Sequence, residues 1–162
     1  MLSEESVHLD ETRGFKLHSI INDQGELLSC MITDGSVNDR TPIPMLIQNR
    51  CRGKLYGDKG YISKKLFDEL FAQGVELITK VKKNMKNRLM DMWDKLCLRK
   101  RGVVDSTIHQ LKNISQIEHS RHRSVHNFLV NVFAGLIAYY LREKKPHLNI
   151  RTLNSHKTLM MI

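Results

Sequence analysis

Two acidic motifs carry most of the chemical information in this chain. In the first, Gly57-Asp58-Lys59-Gly60-Tyr61, an acid ends the short run Lys54-Leu55-Tyr56. In the second, Arg101, Asp105 and Lys112 follow one another at steps of four and seven. Steps of four and seven nearly close whole helical turns, so these three residues share one helix face. Mg²⁺ is a hard cation that takes oxygen ligands. Two carboxylates from distant segments, one of them flanked by cations, therefore suit a site that holds Mg²⁺ and handles phosphate.

The charge distribution points to a polyanion. The net charge is +9, divided as −3 over residues 1–79, +8 over 80–126 and +4 over 127–162. A positive field concentrated around the second acidic motif implies a nucleic-acid partner. Lys80, Lys82, Lys83, Lys86 and Arg88 form one basic cluster, whose chemistry is backbone contact without sequence readout. Arg121 and Arg123 form another, interleaved with His119, His122 and His126. Those histidines fall at i, i+3 and i+7 but lack a cysteine or supporting acid beyond Glu118. A phosphate-facing segment thus explains them better than zinc. Cys30, Cys51 and Cys97 are odd in number and form no C-x-x-C pair, which fits a reducing cytosol. The acidic N-terminus has no apolar signal segment, and the apolar run from Phe128 to Leu141 is too short to span a bilayer, so no membrane role is expected.

The elements that must position these groups follow from periodicity and punctuation. Gly14–Ile21 and Glu26–Ile32 alternate around Asn22-Asp23-Gln24-Gly25, which predicts an antiparallel hairpin. Asp39 is placed to cap a helix running to about Asn49. Lys54–Tyr56 reads as a strand. Ser63 caps a helix through Gln73, with Leu66, Leu70 and Phe71 as its apolar face and Gly74 as its stop. Val75–Thr79 is a further strand. From Asn84 the pattern is helical, with a break at Gly102 before the Asp105 helix, and a last helix covers about Ser124–Leu141. Trp93, Phe128, Phe133, Tyr139 and Tyr140 lie in apolar helical contexts and are expected in the core. The order implies an α/β fold with an antiparallel hairpin followed by parallel crossover units. Asp58 would then sit at the carboxyl end of a parallel strand, where open α/β sheets place their chemistry.

Several stretches resemble the catalytic domain of bacterial insertion-sequence transposases of the DDE type, which has a ribonuclease H-like fold. They are Gly14–His18, Gly57–Ser63, Leu77–Lys80 with Lys83–Lys86, Leu98–Arg101, Gln110–Ile114 and His119–Ser124, collinear from Gly14 to about Pro146. The resemblance implies an incomplete ribonuclease H-like fold in residues 14–146, with a leader over 1–13 and a loosely ordered tail over 147–162. It further implies metal-dependent cleavage and strand transfer of transposon-end DNA in the bacterial cytoplasm, with an oligomer compatible with that activity. Asp58 would be the second and Asp105 the third of three carboxylates holding two Mg²⁺ ions. Arg101 and Lys112 would contact DNA phosphate, alongside Lys82, Lys83, Lys86, Arg121 and Arg123.

The chain departs from the family pattern at three points. Position 105 is normally glutamate, so this side chain is one methylene short, and misplacement of about an ångström can cost on the order of a hundredfold in rate. Leu98 stands where a tyrosine is expected. The first aspartate belongs on a strand upstream of Gly14, and Asp10, after the Val7/Leu9 alternation, is the nearest stand-in against the plainer reading of an acidic leader. The expectation is a truncated transposase with an impaired metal site, inactive because the first catalytic aspartate is missing. The alternatives are a non-catalytic nucleic-acid-binding protein and a nuclease of the same superfold acting on RNA in hybrids.

Overall fold

A computed structural model of the chain describes residues 6–9, 13–48, 51–80, 90–99, 102–117, 124–147 and 160–161. The strands are β1 (Ser6–Leu9), β2 (Arg13–Asn22), β3 (Leu27–Asp34), β4 (Gly53–Gly57), β5 (Val75–Thr79) and β6 (Met160–Met161). The helices are α1 (Ile43–Ile47), α2 (Lys64–Ala72), α3 (Met92–Arg99), α4 (Gly102–Asn113) and α5 (Val125–Tyr140). They build the mixed α/β arrangement expected from the sequence, compatible with a partial ribonuclease H-like fold.

All six strands belong to one sheet, with β3 on the far side of β2 and the path β2-β6-β4-β5 leading away from it. The β2–β3 hairpin is antiparallel, and Leu28 is an extra residue between the pairs Ile20↔Ser29 and Ile21↔Leu27. β4 and β5 are parallel in the register Leu55↔Leu77. The two halves of the sheet are joined by β6, antiparallel to β2 at Ile21 and Asn22 and parallel to β4 at Leu55 and Tyr56. β1, from the predicted leader, pairs antiparallel with β2 at positions 13–16, and β6, from the predicted tail, pairs with it at 21 and 22.

Period-two alternation sends the side chains of β2, β4 and β5 to two separate cores. On one face Leu17, Ile21, Tyr56 and Ile78 pack with Cys97, Val104, Ile108, Leu111, Phe128 and Tyr139 of α3, α4 and α5. On the other, Ile20, Leu55, Val75 and Leu77 pack with Ile43, Leu46 and Ile47 of α1 and Leu66 and Leu70 of α2. Each face is thus covered by helices, as a partly parallel sheet requires. The hairpin tip is fastened to the helical layer, because the Tyr139 hydroxyl donates to the Gly25 carbonyl at 2.6 Å and lies 3.2 Å from the Thr107 hydroxyl.

Local signals account for most boundaries. The Ser63 hydroxyl accepts from the Leu66 N–H at 3.4 Å, and Gly74, at φ 79°, turns the chain out of α2 into β5. Gly102 begins α4, separate from α3, as its sequence position suggested. Other expectations are corrected. Asp39 does not cap a helix: α1 starts only at Ile43, after Pro42, and the Asp39 carboxylate instead accepts from Lys16 Nζ at 3.0 Å. Proline pre-sets the helical φ and needs no N–H there, so it displaces the start past the acid. Phe71, Phe133 and Tyr140 are not core; they are 67%, 55% and 67% exposed. In each case the opposite side of the helix already fills the core, with Leu66 and Leu70 on α2 and Phe128, Val132 and Tyr139 on α5.

Candidate functional site

β4 delivers Asp58. Tyr56 is fully buried against the α3–α5 layer, and Lys54, Tyr56 and Asp58 share its parity, so all three belong to the sheet face that those helices cover. Asp58 is extended, at φ −77° and ψ 171°, and leads into a short 3-10 turn over Lys59–Tyr61, closed by the bond from Tyr61 N–H to the Asp58 carbonyl at 3.1 Å. That turn stops the strand and leaves the half-buried Asp58 at its carboxyl end.

α4 delivers Asp105. Its buried face is Val103, Val104, Thr107, Ile108 and Leu111, which points Asp105 outward in the first turn, where it is exposed. Lys112 lies two turns further along the same helix and is half-buried. Because Val104 and Tyr56 belong to one core, α4 covers the same side of the sheet that carries Asp58. Lys82, Lys83, Lys86, Arg101, Arg121 and Arg123 lie outside the described residues, as do Asp10, His119 and His122.

The donor set fits a divalent cation in kind. Carboxylate oxygens are what Mg²⁺ requires, and Mg²⁺ is commonly held by one or two carboxylates with water completing its shell. In number the set falls short: among the described residues no group of three histidine, cysteine or acidic side chains is placed to hold a metal.

A second polar cluster, on the strand that leads to Asp58, was almost invisible in the residue pattern. Asp94, on α3 and only 5% exposed, accepts two bonds from Lys54 Nζ, at 2.9 and 2.8 Å, and a third from the Tyr56 hydroxyl at 2.8 Å. Its bond to Asp94 is the main reason that Lys54 holds its proton more tightly than an ordinary lysine. Burial, and then the bond to Asp94, pushes the Tyr56 phenol far above its usual range. Burial likewise raises the neighbouring Cys97 thiol, so this cysteine is a packing residue rather than a nucleophile. Both partners of Asp94 lie on the strand that ends in Asp58, so the cluster clamps α3 to that strand. The one available signal was Lys54 itself, a charge in an apolar run that needs a counter-charge when the run is buried.

No helix of the described residues is long and apolar enough to cross a membrane. A family model described as "Transposase DDE domain" matches residues 12–125, a span that contains both Asp58 and Asp105. No curated protein and no solved structure matches the chain.

Proposed function

The chain belongs to the transposase DDE domain family, and from that membership we propose that it binds duplex DNA and that Asp58 and Asp105 would hold Mg²⁺, with low phosphodiester-cleaving activity. The observation that carries this reading is the position of Asp58 at the end of β4, on the sheet face that α4 also covers, within the matched span. When bound, the ion would polarise a phosphodiester and activate the attacking oxygen.

This chain's own residues do the rest. Asp58, fixed by the turn that follows it, offers a ligand on a rigid strand end. Asp105 offers a second from the first turn of α4, one methylene shorter than the glutamate expected in the family. The Asp94 clamp holds the helical layer against β4 and so limits relative movement of the strand end that carries Asp58. Lys112 and the basic residues Lys82, Lys83, Lys86, Arg101, Arg121 and Arg123 supply phosphate contacts that position the duplex without reading its sequence.

Two measurements test this. Binding to duplex DNA should weaken steeply with salt, with a log–log slope of about −6 if all seven cations contact phosphate. Nicking of a supercoiled plasmid with Mg²⁺ or Mn²⁺ should be slow in the wild type and abolished by Asp58→Ala, with DNA binding retained. Salt-sensitive binding with no metal-dependent nicking would support the non-catalytic nucleic-acid-binding alternative. Absence of salt-sensitive binding would overturn both readings.

A further inference from the structure

We propose that β3 and the outer face of α5 form a homodimer interface, in which the β3 edges of two copies pair antiparallel. Among the described residues β3 pairs with β2 alone, and among them its other side is a sheet edge. A strand edge is normally blunted by lysine, proline or an inward charge. Over Leu27–Asp34 this edge carries none of these before its terminal Asp34.

A groove of about 350 Å³ runs along that edge. It touches the successive residues Cys30, Met31, Ile32 and Thr33, and Leu129, Phe133 and Leu136 of α5 wall it. Phe133 continues from the groove into an exposed stripe with Val130, Ile137, Tyr140 and Leu141, which are 55–73% exposed. Five side chains of this size, each more than half exposed, present roughly 500 Å² of apolar surface, toward the upper part of the roughly 300–600 Å² that the largest patch of a monomer covers, a size that often marks a functional surface. That is more than half of the roughly 800 Å² that each partner contributes to a standard interface, and the β3 edge adds to it.

Charge and symmetry select a second copy as the occupant. The sixteen residues of α5 include no lysine, arginine, aspartate or glutamate; Lys145 stands only at the Tyr140 end, its Nζ 5.9 Å from that ring centroid, so the stretch Val130, Phe133 and Ile137 offers no cation to the polyanion that the rest of the chain attracts. An antiparallel strand edge is self-complementary: a two-fold axis normal to the sheet sets its N–H and C=O groups against their own copies. The same axis puts both α5 helices on one side of the joined sheet, with their stripes adjacent. No DNA or metal is needed, so this dimer stands apart from the proposed function.

Sedimentation velocity of the full chain, without DNA or metal, reads the oligomeric state. The expected mass is about twice 18.8 kDa, dissociating on dilution. Phe133→Lys and Ile137→Lys, at exposed positions that leave the core intact, should each weaken the dimer by at least roughly tenfold with unchanged far-ultraviolet circular dichroism. Hydrogen exchange on the wild type needs no variant and should show concentration-dependent protection at Met31–Thr33. A monomer at every concentration would overturn the proposal. So would a dimer that resists both substitutions or leaves the β3 amides unprotected.

Discussion

Replacing Asp94 by alanine and by asparagine separates the two things this carboxylate does. Asparagine keeps an oxygen that accepts from the buried Tyr56 hydroxyl but removes the charge facing Lys54. The Lys54 side chain is 37% exposed and can turn to water, so the lost ion pair costs only about 1 kcal/mol. Alanine also strands the Tyr56 hydroxyl, a further cost of about 1–3 kcal/mol. The expected losses are therefore about 1 kcal/mol for Asp94→Asn and about 3 kcal/mol for Asp94→Ala, the latter lowering Tm by roughly 6–12 °C for a chain of this size. Lys54→Met should cost at least as much, about 3 kcal/mol, because it leaves a carboxylate buried without its counter-charge. The assay is urea unfolding followed by the fluorescence of Trp93, the one tryptophan, which adjoins Asp94 on α3. If Asp94→Ala and Lys54→Met both unfold within about 0.5 kcal/mol of wild type, as ordinary surface changes do, the clamp does not hold α3 to β4 and the argument fails.

Three further outcomes are expected. Gly25→Ala should destabilise by about 2–5 kcal/mol in the same assay, since its φ of 72° is costly for alanine and the new methyl would collide with the Pro146 carbonyl; an unchanged midpoint would show that the hairpin tip is not packed there. His18 is buried, bonded at 2.8 Å to the Thr33 hydroxyl, and its pKa is lowered from 6.5 by burial and then by Lys16. Its neutral form is the folded one, so its contribution to stability is fully present above pH 6.5 and is lost as pH falls from there toward the lowered folded value. Urea midpoints across that window should drop in the wild type and drop less in His18→Gln; equal slopes would remove His18 as the cause. Asp105→Glu, restoring the missing methylene, should raise metal-dependent nicking by up to about a hundredfold, and a rate no higher than wild type would show that reach at position 105 is not limiting.

What the sequence revealed was mostly local. Ser63, Gly74 and Gly102 mark boundaries through their own backbone preferences, and each boundary lies where that chemistry puts it. β2, β3 and β5 were legible as short apolar runs bounded by turn residues, although Leu17, Ile20 and Ile21 are buried between helices on both faces of the sheet. Asp39 misled because a capping acid and an acid that pairs with a distant lysine look the same until the fold brings Lys16 alongside. Phe133 and Tyr140 misled for a related reason: α5 is apolar all round, so its composition could not say which side faces inward. At the candidate site, the strand-end position of Asp58 was readable from the short run that precedes it. The Asp94 clamp was not, because it joins residues about forty positions apart through the tertiary fold alone.

Met160 and Met161 close the sheet between β2 and β4, and this has a kinetic consequence. The pair Ile21↔Met161 brings together opposite ends of the sequence, so loop-closure entropy opposes it more than any local contact in the chain. The β2–β3 hairpin and the β4–α2–β5 unit can each form from near neighbours, whereas their union waits on the most distant pairing. Assembly of the sheet should therefore be the slow phase of refolding. In the native state, amide exchange at the Ile21–Asn22 seam should report its own opening, distinct from global unfolding.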